Sequence, residues 1–216
     1  MYKIVKEESF EEISKRVAEE IIEKAEYWIS GKGSFNIALA GGTTPVETYR
    51  ILGNSDLKWD YINFFLTDER YVSLDDERSN YRMIRSLLGE KAKIIPFDTS
   101  KPIKETCRYY SERLKKIGSL DFILLGAGAD GHTASLFPNS DWHDDDGFTC
   151  WTVDPAGLKR VSLSLSFINS SEETALFITG EKKREVFKKI LAGENIPAAK
   201  VRCKKDYVTI FTDIKI

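Results

Sequence analysis

The chain has 216 residues, of which 42% are hydrophobic and 31% charged, and its 32 basic and 34 acidic side chains leave a formal net charge of −2. A chain of this length and composition buries enough apolar surface to fold without disulfides or metals, so we expect one α/β domain over residues 1–216. The balanced charge excludes a general basic surface for nucleic acid or for a membrane, and any site for an anionic ligand must be local.

The predicted elements alternate between apolar runs and amphipathic segments. In chain order they are a strand at 2–5, a helix at 10–29 that breaks at 30–34, a strand at 35–40, a helix at 45–52, a strand at 62–66, a helix capped by Ser79 and Asn80, a strand at 94–97, a helix at 103–116, strands at 121–125, 161–165 and 175–178, a helix at 181–191 and a strand at 207–211. This alternation predicts a doubly wound, mostly parallel sheet with helices on both faces. The least regular segment, 139–158, contains the runs WHDDDG and DPAG and predicts a long loop near the site.

The three cysteines, Cys107, Cys150 and Cys203, are widely spaced and include no Cys-x-x-Cys pair. Such a set is typical of reduced thiols rather than of a disulfide framework or a zinc site. No apolar run approaches the length of a membrane span, and the first residues contain no apolar segment of a secretion signal. We therefore expect a cytoplasmic protein.

The stretch FILLGAGADGHTASLFP, residues 122–138, carries the strongest functional signal. Its apolar run predicts a buried parallel strand that ends in a glycine-rich turn, and ligands of open α/β sheets bind beyond such strand ends. His132 is therefore expected at the ligand site, where an imidazole can take up or release a proton near neutral pH, and this predicts an enzyme. Gly131 comes one position too early for a dinucleotide-binding fingerprint, which argues against NAD.

Asp130 precedes His132 by two positions, and an irregular turn can bring the two side chains together. Asp130 would then orient the ring or stabilise its charge while His132 deprotonates water. The alternative is that Asp130 caps a short helix over 132–137 and that His132 is a polar surface residue. The position of His132 at a strand end favours the first interpretation.

The run Gly41-Gly42-Thr43-Thr44 follows a strand and opens a helix. Glycines allow backbone N–H groups to approach an anion, and a helix N-terminus adds unpaired donors and partial positive charge. A tight turn capped by threonine explains the same residues without a ligand. The run is neither a Walker loop nor a dinucleotide fingerprint.

The run Thr67-Asp68-Glu69-Arg70 also follows a strand and is expected at the same edge of the sheet. The planar guanidinium of Arg70 suits a phosphate. If this segment is extended, Asp68 and Glu69 point to opposite sides, so only one of them faces the cleft. Alternatively, Glu69 and Arg70 form a structural ion pair.

Further basic residues are expected at this edge, namely Arg160 and either Lys182 or Lys183. Most lysines are simply solvated, and the run KKREVFKK is largely a polar helix face. A lysine in the first turn opposes the helix dipole, however, and this favours a local reason such as a bound anion.

Two other residues invite chemical interpretations that the sequence disfavours. Ser135 lies near His132 but lacks the Gly-x-Ser-x-Gly elbow of a serine nucleophile. His143 precedes the aspartates 144–146, yet a solvated acidic loop explains this cluster better than a metal site does. We expect neither a serine nucleophile nor a bound metal.

Three ordered motifs, GGTTP, TDERYVSLDDERSNYRMI and GAGADGHTASLFP, resemble those of the 6-phosphogluconolactonase family, and GEKKREVF and RVSLSL fit its later part. The resemblance is clearest over residues 40–183. It implies a Rossmann-like α/β fold, related to glucosamine-6-phosphate deaminase, and a hydrolase that uses no metal or organic cofactor. The implied reaction is hydrolysis of 6-phospho-D-glucono-1,5-lactone to 6-phospho-D-gluconate in the oxidative pentose phosphate pathway. The implied partner is this small sugar-phosphate lactone, and we expect a monomer rather than an obligate oligomer.

Position by position, the resemblance gives His132 the role of the base that activates water. Asp68 corresponds to the acid of the family's DER motif and is expected to be catalytic together with His132 and Asp130. The Gly-x-x-Lys spacing selects Lys183 over Lys182. The residues implied in phosphate or substrate binding are the loop residues Gly41, Gly42 and Thr43 and the basic residues Arg70, Arg160 and Lys183.

Two alternatives to a lactonase are weaker on the sequence. In the deaminase family the DGH turn continues as HIAFNEP, whereas Phe137 here takes the place of the glutamate, and Arg70 stands where that family has a tyrosine. Both differences disfavour sugar isomerisation or deamination. A sugar-phosphate sensor that regulates transcription would need a helix-turn-helix module, for which the chain has neither the length nor a basic patch.

Overall fold

Two β-sheets and six α-helices are present in a computed structural model of the chain, which describes residues 1–144 and 146–215. In chain order the elements are β1 (Tyr2–Lys6), α1 (Phe10–Lys32), β2 (Phe35–Leu39), α2 (Val46–Gly53), β3 (Ile62–Leu66), β4 (Asp68–Arg70), α3 (Asn80–Leu88), β5 (Lys93–Ile95), α4 (Ile103–Ile117), β6 (Phe122–Leu125), β7 (His143–Asp144), β8 (Thr149–Val153), β9 (Lys159–Leu163), α5 (Leu165–Asn169), β10 (Glu173–Phe177), α6 (Arg184–Leu191) and β11 (Val208–Thr212).

Within the described residues the larger sheet has seven strands, each parallel to its neighbours, in the order β1-β11-β10-β6-β2-β3-β5. The predicted doubly wound, mostly parallel α/β sheet is therefore confirmed, and β1 lies at one edge. β2 and β6 are neighbours at the centre. After β2 the chain adds β3 and β5 on one side of this pair, whereas after β6 it adds β10 and β11 on the other side. The strand order thus reverses between them, and in such folds ligands bind at this point, beyond the carboxyl ends of the strands.

Burial explains why the apolar runs form the central strands. Every residue of β2 and of β6 is buried, as expected for parallel strands that are covered on both faces. The first helix, α1, begins where the Ser9 hydroxyl accepts a hydrogen bond from the backbone of Glu12 and ends at Gly33, which has a φ of +80°. The helix stops within the predicted break at 30–34, but three residues later than the predicted end at Ile29, because the left-handed conformation that ends it occurs at Gly33.

The segment predicted as a long loop, 139–158, instead contributes β7 and β8 to a smaller antiparallel sheet with the order β4-β9-β8-β7. The DPAG run forms the turn that connects β8 to β9. The strand in front of it, Thr149–Val153, contains the β-branched and aromatic residues that favour strands. The prediction of a loop is wrong because the turn residues of WHDDDG and DPAG, on either side of Thr149–Val153, obscure the strand signal of these five residues.

The chain passes directly from the larger sheet into the smaller one, because only Thr67 separates β3 from β4. The Thr67 N–H donates to the carbonyl of Leu39, in β2 of the larger sheet, at 3.0 Å. The Thr67 carbonyl accepts from the N–H of Leu163, the last residue of β9 in the smaller sheet, at 2.8 Å. Asp68 and Arg70 therefore lie beyond the carboxyl end of β3 and on the smaller sheet at the same time.

No helix in residues 1–144 or 146–215 is long and apolar enough to cross a membrane.

Candidate active site

A cavity of about 270 Å³ opens where the strand order reverses, beyond the carboxyl ends of β2 and β6. Its walls are the glycine-rich loops after these strands and side chains that arrive from both sheets. The polar and charged side chains that line it include Asp68, Arg70, Asn80, His132, Ser135, Arg160 and Lys183. Of the site residues predicted from sequence, all but Asp130 line this one cavity, and Asp130 lies directly behind His132.

His132 and Asp130 form a hydrogen-bonded pair. The distance between His132 Nδ1 and Asp130 Oδ1 is 2.6 Å, and the same carboxylate oxygen accepts the backbone N–H of His132 at 3.2 Å. A carboxylate at Nδ1 favours the tautomer that carries its proton there, which leaves Nε2 as the basic nitrogen. Residues 132–137 form no helix, so the interpretation of Asp130 as a helix cap is wrong.

The His132 ring is partly exposed, with 33% of the side-chain surface accessible, and Phe137 packs against it with the ring centroids 4.7 Å apart. Phe137 therefore fixes one side of the imidazole while the cavity remains open to it. This position is one in which an imidazole can exchange protons with a ligand or with water.

Asp68 presents a buried carboxylate to the cavity. It accepts a hydrogen bond from Ser135 Oγ at 2.6 Å and another from Thr67 Oγ1 at 3.1 Å, while Asn80 Nδ2 donates to its backbone carbonyl at 2.9 Å. Ser135 thus orients Asp68 and does not pair with His132, which agrees with rejecting it as a nucleophile. The sequence did not suggest these roles for Ser135 and Asn80, because they depend on contacts between distant parts of the chain.

Glu69 points away from the cavity, as the alternation along an extended strand predicts. Its carboxylate accepts the backbone N–H groups of Arg70, Asn80 and Tyr81 and the hydroxyl of Ser79. Burial raises the pKa of Glu69 and outweighs these four hydrogen bonds, each of which lowers it. The proposed Glu69–Arg70 ion pair is therefore replaced by an anchor between β4 and the N-terminus of α3.

Replacing this anchor is expected to destabilise the protein. Glu69→Ala leaves several buried donors without an acceptor, so we expect the free energy of unfolding to fall by about 2 kcal/mol or more, and Tm to fall by roughly 4–8 °C. Thermal unfolding of Glu69→Ala beside Glu77→Ala, which changes an exposed glutamate of the neighbouring loop, measures the effect. Equal melting temperatures for the two variants would contradict the anchoring role.

Arg70 and Arg160 face each other across the β4–β9 pairing. Arg70 donates through Nη1 to the Arg78 carbonyl at 2.6 Å, but its Nε is buried and has no hydrogen-bond partner among the described residues. A buried donor without an acceptor is costly. Arg70 also lines the cavity, so its guanidinium is placed to donate to an anionic ligand there.

Asp154 holds Arg160 in place and was not singled out in the sequence. Its Oδ2 lies 3.0 Å from Arg160 Nε, and its Oδ1 accepts the backbone N–H groups of Ala156 and Leu158. Burial opposes the ionised form, but these hydrogen bonds and the Arg160 charge outweigh it and lower the pKa of Asp154. The DPAG turn therefore orients an arginine at the cavity, and Arg160 keeps its terminal nitrogens for a ligand.

Lys183 is half-buried at the cavity, whereas Lys182 is exposed. The Lys183 ammonium donates to the carbonyl of Ala127, in the loop after β6, at 2.8 Å. Burial lowers the pKa of Lys183, and the nearby Asp130 carboxylate opposes this effect. The cavity therefore has three cationic side chains, Arg70, Arg160 and Lys183, and this charge suits a phosphate dianion.

The loop Gly41–Thr44 lines the same cavity, but α2 begins only at Val46. The amides expected at a helix N-terminus therefore belong to the turn before the helix. Gly42 has a φ of +88°, which glycine adopts without strain. A side chain at Gly41 would overlap the amide of Asn80, so this glycine leaves room for the side chain that holds Asp68.

Among residues 1–144 and 146–215, no three His, Cys, Asp or Glu side chains form a group that could hold a metal ion. His143 lies in β7 and stacks on Trp151 with the ring centroids 3.9 Å apart. Asp146 accepts from Ser111 and from Lys115, and Asp145 lies outside the described residues.

Comparison with known proteins finds relatives along nearly the whole chain. The family described as glucosamine-6-phosphate isomerases/6-phosphogluconolactonase matches residues 8–210. A 6-phosphogluconolactonase of Thermotoga maritima is 36% identical over 201 residues, which are 89% of this chain and 90% of that protein. One from Aggregatibacter actinomycetemcomitans is 33% identical over 196 residues, 82% of this chain and 84% of that protein.

Solved structures agree with the sequence relatives. The crystal structure of 6-phosphogluconolactonase from Thermotoga maritima has a TM-score of 0.87 at 31% identity and covers 98% of both chains. The structure of the 6-phosphogluconolactonase from Trypanosoma brucei has a TM-score of 0.87 at 28% identity, covering 98% of this chain and 96% of that one.

Proposed function

Because the chain belongs to the glucosamine-6-phosphate isomerase/6-phosphogluconolactonase family, we propose that it hydrolyses 6-phospho-D-glucono-1,5-lactone to 6-phospho-D-gluconate, with water activated by His132. The observation that carries this proposal is one cavity that holds the His132–Asp130 pair and three cationic side chains. A site that carries out this reaction needs both cationic groups that bind the phosphate of the substrate and a base that activates water. In metabolism the reaction belongs to the oxidative pentose phosphate pathway.

The phosphate of the substrate binds to Arg70, Arg160 and Lys183, and the loop residues Gly41, Gly42 and Thr43 add backbone and hydroxyl donors. Arg70 lines the cavity, so its guanidinium can donate to the phosphate there. Positioning of this kind places the lactone carbonyl beside a bound water and converts a bimolecular encounter into a reaction within one complex.

The chemical step uses Nε2 of His132 as a general base. A water molecule bonded to Nε2 attacks C1 of the lactone, and its proton passes to the imidazole while the C1=O electron pair moves onto oxygen. The Asp130 carboxylate at Nδ1 stabilises the imidazolium that forms. Collapse of the tetrahedral intermediate breaks the bond between C1 and the ring oxygen, and the imidazolium returns its proton to that oxygen.

Asp68 serves as a fixed acceptor for the sugar. Its carboxylate is buried at the cavity wall and held by Ser135 and Thr67, so it can accept a hydrogen bond from a substrate hydroxyl without first being reoriented. A buried, preoriented acceptor distinguishes a ligand with a hydroxyl at that position from one without it.

The direct test is a lactonase assay with freshly generated 6-phosphogluconolactone, corrected for spontaneous ring opening. We expect the protein to accelerate ring opening, and the unphosphorylated lactone to react far more slowly because it lacks the group that the three cations bind. Equal rates with and without protein would refute the proposal.

Incubation with glucosamine 6-phosphate tests the other activity of the family. We expect no release of ammonia, because Phe137 packs against the His132 ring at the position where deamination would need a carboxylate.

The affinity for the phosphate group should fall at alkaline pH. Because burial lowers the pKa of Lys183 below its ordinary 10.5, the ammonium loses its proton as pH rises through that lowered value, and one of the three cations is lost. The phosphate itself stays dianionic throughout this range. Calorimetric titration with 6-phosphogluconate between about pH 7 and 10 should show weakening in the wild type, and a pH-independent affinity would contradict the role of Lys183.

A further inference from the structure

The turn that carries His132 folds back onto Gly128. The backbone N–H of Gly128 donates to the His132 carbonyl at 2.8 Å, and the N–H of Gly131 donates to the Gly128 carbonyl at 3.0 Å. These bonds place the Gly128 α-carbon against the side chains of His132 and Asp130.

The space that a side chain would fill at position 128 is occupied by this pair. A Cβ built on Gly128 would lie 2.5 Å from Oδ1 of Asp130 and closer still to Nδ1 and Cε1 of His132. Non-bonded heavy atoms normally approach to about 3.5 Å, so the pair and the Cβ cannot occupy their positions together. The ring can move aside only by giving up its packing against Phe137 or its hydrogen bond to Asp130.

The need for glycine at this position is one of space and not of backbone conformation. Gly128 is not among the glycines with a positive φ, whereas Gly131 has a φ of +92°. An alanine can therefore adopt the backbone conformation of Gly128, and the substitution isolates the steric effect.

We propose that Gly128 is a positioning residue: the absence of a side chain there allows Asp130 to hold the His132 ring with Nε2 available to the cavity. This inference rests on the proposed function for its effect on catalysis. A Cβ at position 128 separates the ring from the carboxylate, so the base loses its orientation and the stabilisation of its charge.

The test is Gly128→Ala, assayed for lactonase activity. We expect kcat to fall by roughly 10²-fold or more, approaching the loss for His132→Ala, while KM stays within about a factor of three because the phosphate contacts are untouched. The control is Gly31→Ala, since Gly31 has a normal φ and a Cβ there meets nothing within 4 Å; it should keep wild-type kinetics. A Gly128→Ala enzyme with wild-type kcat would overturn the proposal.

The double variant Gly128→Ala/His132→Ala separates positioning from a general loss of structure. If Gly128 acts through His132, the double variant is no slower than His132→Ala alone. If Gly128→Ala does not fold, the double variant should fold, because the ring that competes with the new methyl group is gone and the Asp130 carboxylate, no longer bonded to Nδ1, can rotate away from it. A double variant that is slower than His132→Ala, or that also fails to fold, would contradict the mechanism.

A readout that does not depend on activity is available because the chain has only two histidines, His132 and His143. In nitrogen NMR spectra of the imidazole rings, Gly128→Ala should shift the His132 signals and leave those of His143 in place. Such a shift in a protein without lactonase activity would refute the proposed function but retain the positioning role. Unchanged His132 signals would refute the positioning role whatever the activity.

Discussion

His132→Ala is expected to lower kcat for lactone hydrolysis by about 10²–10⁴-fold, the range that general-base catalysis supplies. In the proposed mechanism the variant lacks the nitrogen that takes the proton from water and later returns it to the ring oxygen. KM should change little, because the substitution does not touch the side chains that we propose to hold the phosphate. Steady-state kinetics, corrected for spontaneous hydrolysis, measure both constants.

The matched control for this variant is His143→Ala. His143 is the only other histidine in the sequence, and it stacks on Trp151 in the smaller sheet rather than lining the cavity. We expect it to retain wild-type turnover. If His132→Ala also kept wild-type turnover, another group would have to be the base and the proposed mechanism would be wrong.

Lys183→Ala is expected to raise KM by roughly 10- to 100-fold, since a hydrogen bond to a charged group contributes about 1.5–3 kcal/mol. The substitution also removes the donor to the Ala127 carbonyl, in the turn that carries His132, so a smaller decrease in kcat should accompany the change in KM.

Lys182→Ala tests whether this effect is specific to position 183. The two lysines are adjacent and have the same charge, but only Lys183 reaches the cavity. We expect near-wild-type KM for Lys182→Ala. Similar increases in KM for both variants would show that general positive charge, rather than a direct contact, binds the phosphate.

The larger sheet could be predicted from sequence because its strands are continuous apolar runs. FNIAL and FILL are buried along their whole lengths, INFFL is buried at every position except Asn63, and turn residues bound each of them. The smaller sheet was harder to predict, because β4 has only three residues and β7 only two. Segments this short show no periodicity, and their pairing is determined by tertiary contacts.

The candidate site could be predicted in part for a related reason. His132, Asp68, Arg70 and Lys183 each follow a strand of a parallel sheet, so their convergence at one edge follows from the fold class. The partners that orient them, Ser135 for Asp68 and Asp154 for Arg160, have no such positional signal. Each of these contacts depends on side-chain packing in three dimensions, which the order of residues along the chain does not reveal.

The strand β4 makes the site sensitive to changes in chain length at one point. Asp68 and Arg70 face the cavity while Glu69, between them, anchors α3 on the opposite side. An insertion or deletion of one residue between Leu66 and Asp68 would exchange the two faces. The Glu69 side chain would then enter the cavity, and Asp68 and Arg70 would turn towards α3, so a change of one residue in length here would disrupt the cavity and the helix anchor together.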